Sequence, residues 1–295
     1  MDGSGLSESI LPYARFLAKS LKVPVELLYS VDPETISYLS TPEGGRAIVE
    51  ARLKQSGLDY LEPVAGSFAE SLAVNCSVVV GKPVQVIVER AAAQAGTLIT
   101  MATHGHSGLQ RWALGSVADK VLRLSTNHLF LVWPPRKAGS AGVVLFKKII
   151  VPLDGSVFSE QVLPYAALLA TKMNLALVIL RVFSLPLPTY FVGEEHSLEW
   201  VKLAEPLKGE ARVYLEDKVR SLREKGVKNV SSMLLEGNAG ERIIEFARQP
   251  PANLVAMCTH GRSGLGRWAL GSVAERVVRY SENPVLVIRA KEERR

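Results

Sequence analysis

One block of this chain occurs twice, and that constrains the fold more than any other feature. Met101–Ser125 reads MATHGHSGLQRWALGSVADKVLRLS and Met257–Ser281 reads MCTHGRSGLGRWALGSVAERVVRYS, aligned without a gap 156 positions apart. A second ungapped pair starts at Asp2 (DGSGLSESILPYARFLAKSLKVPVELLYSV) and Asp154 (DGSVFSEQVLPYAALLATKMNLALVILRVF), 152 positions apart. A self-similar block near the end of each half means two copies of one domain. The 295 residues fit two domains of roughly 100–200 residues each. We expect domain 1 over 1–136, a Pro/Gly-rich linker over 137–146 and domain 2 over 147–291. Between the anchors the copies drift, with extra residues near Tyr60–Asn75 in the first and near Ser184–Glu210 in the second. Loops absorb insertions that a packed core does not, so both stretches are expected to be loops.

Within each copy, short apolar runs alternate with helical periodicity. In the second copy KKIIVPL (Lys147–Leu153), LALVILRV (Leu175–Val182), VSSMLLEG, NLVAMC and ENPVLVIRA read as strands. SEQVLPYAALLATKM, a charged segment near Gly209–Lys225, AGERIIEFARQ and GSVAERVVRYS read as helices. Strands apolar on both faces, alternating with helices, imply an α/β fold. Each copy is expected to be a doubly wound domain, an open five-stranded parallel sheet flanked by helices. The first copy has one defect. Met1 aligns with Leu153, so the strand equivalent to KKIIVP is missing, and such a first strand is normally central. Two explanations stand: a start upstream of Met1, which we expect, or an incomplete, non-binding first domain.

Composition narrows the function classes. Nearly half the residues are hydrophobic, enough for two cores, yet no apolar run approaches the ~18 residues of a membrane span. No basic-then-apolar leader opens the sequence. Cys76 and Cys258 form no CxxC pair, which argues against a disulfide or zinc framework and for a reducing, cytoplasmic setting. The net charge of +6 is scattered along helix faces, without the clustering a nucleic-acid footprint needs.

The chemistry concentrates in THGRSGLGRWALGS, which follows NLVAMC and precedes a helix starting near Ser272. Ligands of open parallel sheets bind beyond the carboxyl ends of the strands. Gly261, Gly264 and Gly266 let backbone approach a ligand closely. Gly271 and Ser272 open a helix whose unpaired N–H groups and dipole favour anions. Arg262 and Arg267 add charge suited to phosphate oxygens. The spacing matches neither GxxxxGK[ST] nor GxGxxG. A tight loop with a capped helix is the purely structural alternative. His104 and His260 read as loop-ordering partners, Trp112 and Trp268 as packing residues, and Cys258 as a small buried residue. Asp154 is the carboxylate best positioned for ligand work, with capping of the next helix as its alternative role.

These residues resemble the closing signature of universal stress protein domains, and DGS with LLYSV or ILRV resembles the family's opening half. The resemblance spans nearly the whole chain as a tandem pair. It implies a five-stranded parallel α/β sheet and, in one branch, ATP binding through Gly, two residues, Gly, nine residues, Gly, then Ser or Thr. Gly261 with Gly271-Ser272, and Gly105 with Gly115-Ser116, match the latter part. Cys258 and Ala102 replace the leading glycine, and a positive φ there would be strained. The resemblance implies that Asp154 contacts the nucleoside, Val182 contacts adenine through its backbone, and Met257 and Cys258 line the pocket. Gly261, Arg262, Gly271, Ser272 and Val273 would hold phosphates and ribose. The first-copy counterparts are Asp2, Ser30, Met101, Ala102, Gly105, His106, Gly115, Ser116 and Val117. His106 in place of Arg262 is mostly uncharged at neutral pH, which weakens that copy's hold on phosphate.

The implied ligand is ATP or a related adenine nucleotide, with Mg²⁺ accompanying the phosphates. No general base or metal-carboxylate cluster is evident, so fast turnover is not expected. The expected role is a cytoplasmic stress-response regulator, with a nucleotide-independent interaction scaffold as the alternative. An adenylating enzyme is disfavoured because DGSVFS lacks the paired glycines of an SGGxDS loop. By resemblance the last strands of the two copies, HLFLV and PVLVI, pair as an intramolecular pseudo-dimer, with a homodimer as a further option.

Overall fold

The computed structural model describes residues 1–40, 45–104, 114–134, 146–184, 197–249, 253–259 and 270–290. The chain divides into unit 1, Met1–Val144, and unit 2, Leu145–Arg295.

Unit 1 runs α1 (Gly5–Glu8), α2 (Leu11–Leu21), β1 (Val25–Val31), α3 (Pro33–Leu39), α4 (Arg46–Gly66), β2 (Val74–Val80), α5 (Pro83–Ala92), β3 (Leu98–Ala102), α6 (Ser116–Leu124) and β4 (His128–Val132). Unit 2 runs β5 (Lys148–Pro152), α7 (Val157–Glu160), α8 (Leu163–Met173), β6 (Ala176–Phe183), α9 (Ser197–Glu224), β7 (Val230–Glu236), α10 (Ala239–Ala247), β8 (Asn253–Cys258), α11 (Ser272–Tyr280) and β9 (Val285–Ile288). Matching residues build matching elements. α2 and α8 both carry Pro in their first turn, where its missing N–H costs nothing. Each ends on a left-handed residue, Lys22 (φ 54°) or Asn174 (φ 52°), whose N–H returns to Ala18 or Ala170.

The sheet of unit 2 has the order β9-β8-β5-β6-β7, all parallel. β5 is central, and Ile149, Ile150 and Val151 are fully buried. Every residue of β8 and β9 is buried. That is why these runs carry no polar alternation: helices cover both faces. The chain winds outward from β5 through β6 and β7 on one side, then through β8 and β9 on the other. The switch point therefore lies at the carboxyl ends of β5 and β8, where ligands of such sheets bind.

Unit 1 repeats this plan without its centre. β1 pairs with β2 and β3 with β4, all parallel, and among the described residues no ladder joins β1 to β3. The Met1 ammonium donates to the Leu28 carbonyl at 2.7 Å, as the Leu153 N–H donates to Leu180 at 2.8 Å in unit 2.

Two expected loops are partly helical. α4 continues to Gly66, inside the Tyr60–Asn75 insertion, and α9 starts at Ser197, inside Ser184–Glu210. An insertion of helix-forming residues beside a helix can lengthen it, and each helix accommodates an internal proline, Pro63 or Pro206. The short α3 was not expected from periodicity. Asp32 caps it by accepting from the Glu34 N–H, with Pro33 at its first position.

Candidate functional site

At the carboxyl end of β5 the chain turns through Asp154-Gly155-Ser156. Gly155 has φ +87°, a conformation costly for a side chain. Asp154 Oδ1 accepts from both the backbone N–H (2.9 Å) and the hydroxyl (2.6 Å) of Ser156. The Ser156 hydroxyl oxygen in turn accepts from the Ser159 N–H at 3.1 Å, capping α7. Asp154 therefore fixes the capping residue rather than capping the helix itself. Asp2, Ser4 and Ser7 reproduce this arrangement in unit 1, at 3.0, 2.6 and 3.1 Å.

Val182 lies two residues beyond Leu180, the last residue of β6 opposite β5. Backbone groups in a parallel strand alternate between its two edges. Leu180 bonds toward Leu153, and Phe183 accepts from Gly237 on the other side. Val182 therefore directs its backbone N–H and C=O toward the β5 side, past the point where β5 has ended. By the same parity Ser30 does so in unit 1.

Met257 and Cys258 complete β8 and are buried. Neither Cys258 nor Ala102 has a positive φ; both are ordinary strand residues. The strain foreseen from losing the leading glycine is absent, because extended backbone accepts any side chain. Burial raises the Cys258 thiol pKa to about 12; a hydrogen bond with the Val162 backbone lowers it and the charge of Asp154 raises it. The thiol is thus neutral at physiological pH and serves as part of an apolar wall near Asp154.

Beyond Cys258, buried Thr259 ties the neighbouring segments together. Its N–H donates to Ile288 of β9 at 3.0 Å, and its carbonyl accepts from the Gly271 N–H at 2.8 Å. A Cβ on Gly271 would sit 3.1 Å from that carbonyl oxygen, so close backbone approach, rather than an unusual φ, favours glycine. The bond brings the start of α11 to the end of β8. No side chain caps α11 at Gly271, so the amides of Ser272 and Val273 open the helix without a side-chain partner at that cap. Unit 1 has the same clasp: Gly115 donates to the Thr103 carbonyl at 2.8 Å, and a Cβ there would lie only 2.7 Å from it.

In unit 2, then, the switch point brings together Asp154, Val182, Met257, Cys258, Gly271, Ser272 and Val273. The first-copy residues Asp2, Ser30, Met101, Ala102, Gly115, Ser116 and Val117 occupy corresponding positions around β1 and β3, which no ladder joins among the described residues. Gly261, Arg262, Gly105 and His106 lie outside the described residues, as do Gly264, Gly266, Arg267, His260, Trp112 and Trp268. His104 contacts the Thr103 hydroxyl through Nδ1 at 3.1 Å, and its ring lies tilted by 51° against that of Trp133, centroids 5.1 Å apart. Among the described residues no group of three or more His, Cys, Asp or Glu is placed to hold a metal ion.

Arg181 was missed. Its guanidinium lies over the Tyr214 ring, 4.8 Å from the centroid, and within 3.3 Å of where a Gly155 Cβ would stand. The Tyr214 hydroxyl donates to Glu160 at 2.8 Å, and Lys218 pairs with the same carboxylate at 2.7 Å. This brace supports the Asp154 turn from behind. Unit 1 has Tyr29 at the Arg181 position, edge-on to Tyr60, whose hydroxyl donates to Glu8 at 2.8 Å. The available signal was the departure itself: one arginine in an otherwise apolar strand where the other copy has tyrosine.

Comparison with known proteins agrees with this architecture. The model of the universal stress protein family matches twice, over residues 1–132 and 145–289. A universal stress protein of Methanocaldococcus jannaschii is 36% identical over 148 residues, covering 50% of this chain and 85% of that protein. One from Mycolicibacterium smegmatis is 23% identical, covering 99% of this chain and 96% of its own length. Among solved structures, a universal stress protein from Archaeoglobus fulgidus superposes with a TM-score of 0.70 at 20% identity, covering 98% of this chain and 96% of that one.

Proposed function

The chain belongs to the universal stress protein family, and from that premise we propose that unit 2 binds ATP or a related adenine nucleotide without fast turnover, as a cytoplasmic stress-response regulator. The observation that carries the reading is the Gly271–Thr259 clasp, which holds the uncapped start of α11 at the end of β8. Helix N-termini favour phosphate through their free amides and dipole. In this reading Ser272 and Val273, with Gly261 and Arg262, hold phosphates and ribose. The unpaired backbone edge at Val182 suits the hydrogen-bonding edge of adenine, Met257 and Cys258 form its apolar wall, and Asp154 meets the nucleoside. Mg²⁺ would travel with the phosphates, since the described side chains offer it no cluster.

Unit 1 is the weaker candidate. It keeps the clasp at Gly115, but it carries His106 where unit 2 has the permanently charged Arg262. Calorimetric titration of ATP, ADP and AMP tests the assignment. One nucleotide should bind per chain. Gly271→Val should weaken it at least about tenfold, because the added side chain opposes the clasp. Gly115→Val should leave that affinity unchanged. Absence of binding by all three nucleotides to the unmodified protein would refute the proposal.

A further inference from the structure

We propose that the outer edge of β2 in unit 1 is a homotypic interface, on which the β2 strand of a second copy of this chain adds antiparallel to form a two-fold dimer. The inference is independent of the nucleotide reading. Strand alternation identifies the groups on that edge. The Ala73 carbonyl accepts from the Val25 N–H, and the Gly81 N–H donates to Val31, so the odd-numbered residues of β2 face β1. Val74, Cys76, Val78 and Val80 therefore turn their N–H and C=O groups away from the sheet. Among the described residues no partner reaches these groups.

The corresponding edge of unit 2 is guarded. On β7, Asn229 accepts from Leu177 and Gly237 donates to Phe183, so Val230, Ser232, Leu234 and Glu236 face outward. Arginines occupy both ends of that row. Arg223 donates to the Val230 carbonyl at 3.1 Å and Arg242 to the Glu236 carbonyl at 2.8 Å. Glu236 adds a largely exposed carboxylate. Charged side chains on an edge are a means by which sheets refuse a further strand. In unit 1 each of these positions is uncharged. Five residues after Gly237 stands Arg242, and five after Gly81 stands Val86. The two side chains fill the same place: Arg242 Nε lies 3.0 Å from where a Gly237 Cβ would stand, and Val86 Cγ2 lies 2.6 Å from that of Gly81. Tyr60 and Tyr214 make the same bond to Glu8 and Glu160, and nine residues beyond them stand Ala69 and Arg223. Val80 takes the position of Glu236.

The pattern of the strand selects a second copy as the occupant. VNCSVVV carries no charge, so it holds nothing to recruit a charged segment, and self-pairing sets no like charges opposite each other. Its seven residues place Ser77 at the centre. With Ser77 on the two-fold axis, Val74 meets Val80 of the second copy and Cys76 meets its Val78. Each such pair exchanges two backbone bonds, about eight in all, and every outward group of the strand is used. Ser77 meets its own counterpart at a non-hydrogen-bonded site, where Cα atoms stand about 4.5 Å apart and a small side chain fits. Val74, Val78, Val79 and Val80 are only half-buried, which leaves apolar surface for the second strand to cover. The pairing is also closed, because the two-fold axis consumes both edges and leaves none for a third copy.

Sedimentation velocity of the 295-residue chain should show a dimer that dissociates on dilution. In a Cys76→Ser background, Ser77→Cys should form a disulfide between chains under an added oxidant, since a Cα separation of about 4.5 Å lies within the range a disulfide spans. Met233→Cys, at the equivalent position of the guarded β7, should not cross-link in that background, although Met233 is 39% exposed. Cys76→Pro removes an outward N–H that β1 does not use and should abolish the dimer. Ser77→Lys keeps every backbone bond and sets two ammonium groups together at the axis, so it should weaken the dimer several-fold, about 3–10. A monomer at every concentration, no disulfide through Ser77→Cys, equal cross-linking through Met233→Cys, or a dimer indifferent to both Cys76→Pro and Ser77→Lys would each overturn the proposal.

Discussion

At Cys258 a small side chain sits where the nucleotide motif has glycine, and extended backbone makes the exchange conformationally free. Its chemistry is then set by burial. The thiol's ordinary pKa is 9.0, and in the folded chain it is about 12. The unfolded chain therefore releases this proton first as pH rises. Stability should be insensitive to this group below pH 9 and should fall progressively between 9 and 12. Tyr60 and Tyr214, raised by burial and by their bonds to Glu8 and Glu160, act in the same direction. Urea denaturation from pH 7 to 10.5 should show the decline, and Cys258→Ala should reduce its slope without abolishing it. An unchanged slope would mean that the thiol is solvated. Gly271 gives a contrasting lesson in reading glycines. The motif spacing singles it out, but the reason glycine is favoured there, a carbonyl 3.1 Å from a hypothetical Cβ, emerges only when β8 and α11 are brought together.

At the level of elements, the Arg181–Tyr214–Glu160 brace connects β6, α9 and α7 behind the Asp154 turn. A cation–π contact contributes about 0.5–2 kcal/mol depending on exposure. Arg181→Ala should speed amide exchange at Gly155 and Ser156 and lower nucleotide affinity several-fold, about 3–10. Tyr214→Phe keeps the ring and should have a smaller effect on affinity, though it forfeits the Glu160 bond. Equal exchange rates in Arg181→Ala and the unmodified chain would show that the turn needs no brace. The strands and most helices were readable because their patterns are local: continuous apolar runs for β5, β6, β8 and β9, and 3.6-residue spacing for α10 and α11. The brace was not, because Arg181, Tyr214 and Glu160 are distant in sequence and meet only through the packing of α9 on β6. The helical continuation of α4 and α9 into the insertions was hidden for a related reason. Drift between copies signals freedom to vary, and a surface helix has that freedom as much as a loop does.

At the scale of the molecule, the duplication gives two units whose described strands pair differently. Among the described residues, unit 2 has a continuous run of five strands, and in unit 1 no ladder joins the pair β1-β2 to the pair β3-β4. Calorimetric unfolding should therefore show two transitions, the lower one belonging to unit 1. Exchange at Thr100 of β3 should be faster than at Ala256 of β8. A single transition with equal protection at both sites would contradict this difference. The divided sheet also alters how each unit closes its chain on itself. In unit 2 the pairing of Ile149 with Leu254 joins residues more than 100 positions apart, and through it β8, with β9 alongside, is added to β5. Among the described residues the strand pairings of unit 1 are shorter in span: Val25 meets Val74, and Leu98 meets His128. Its described strand pairings are shorter in range, although α1 still packs on β3 from the far end of the unit, so unit 2 should set the slow phase of refolding. The strand that gives unit 2 its stability is thus also the strand that makes it the slower half to assemble.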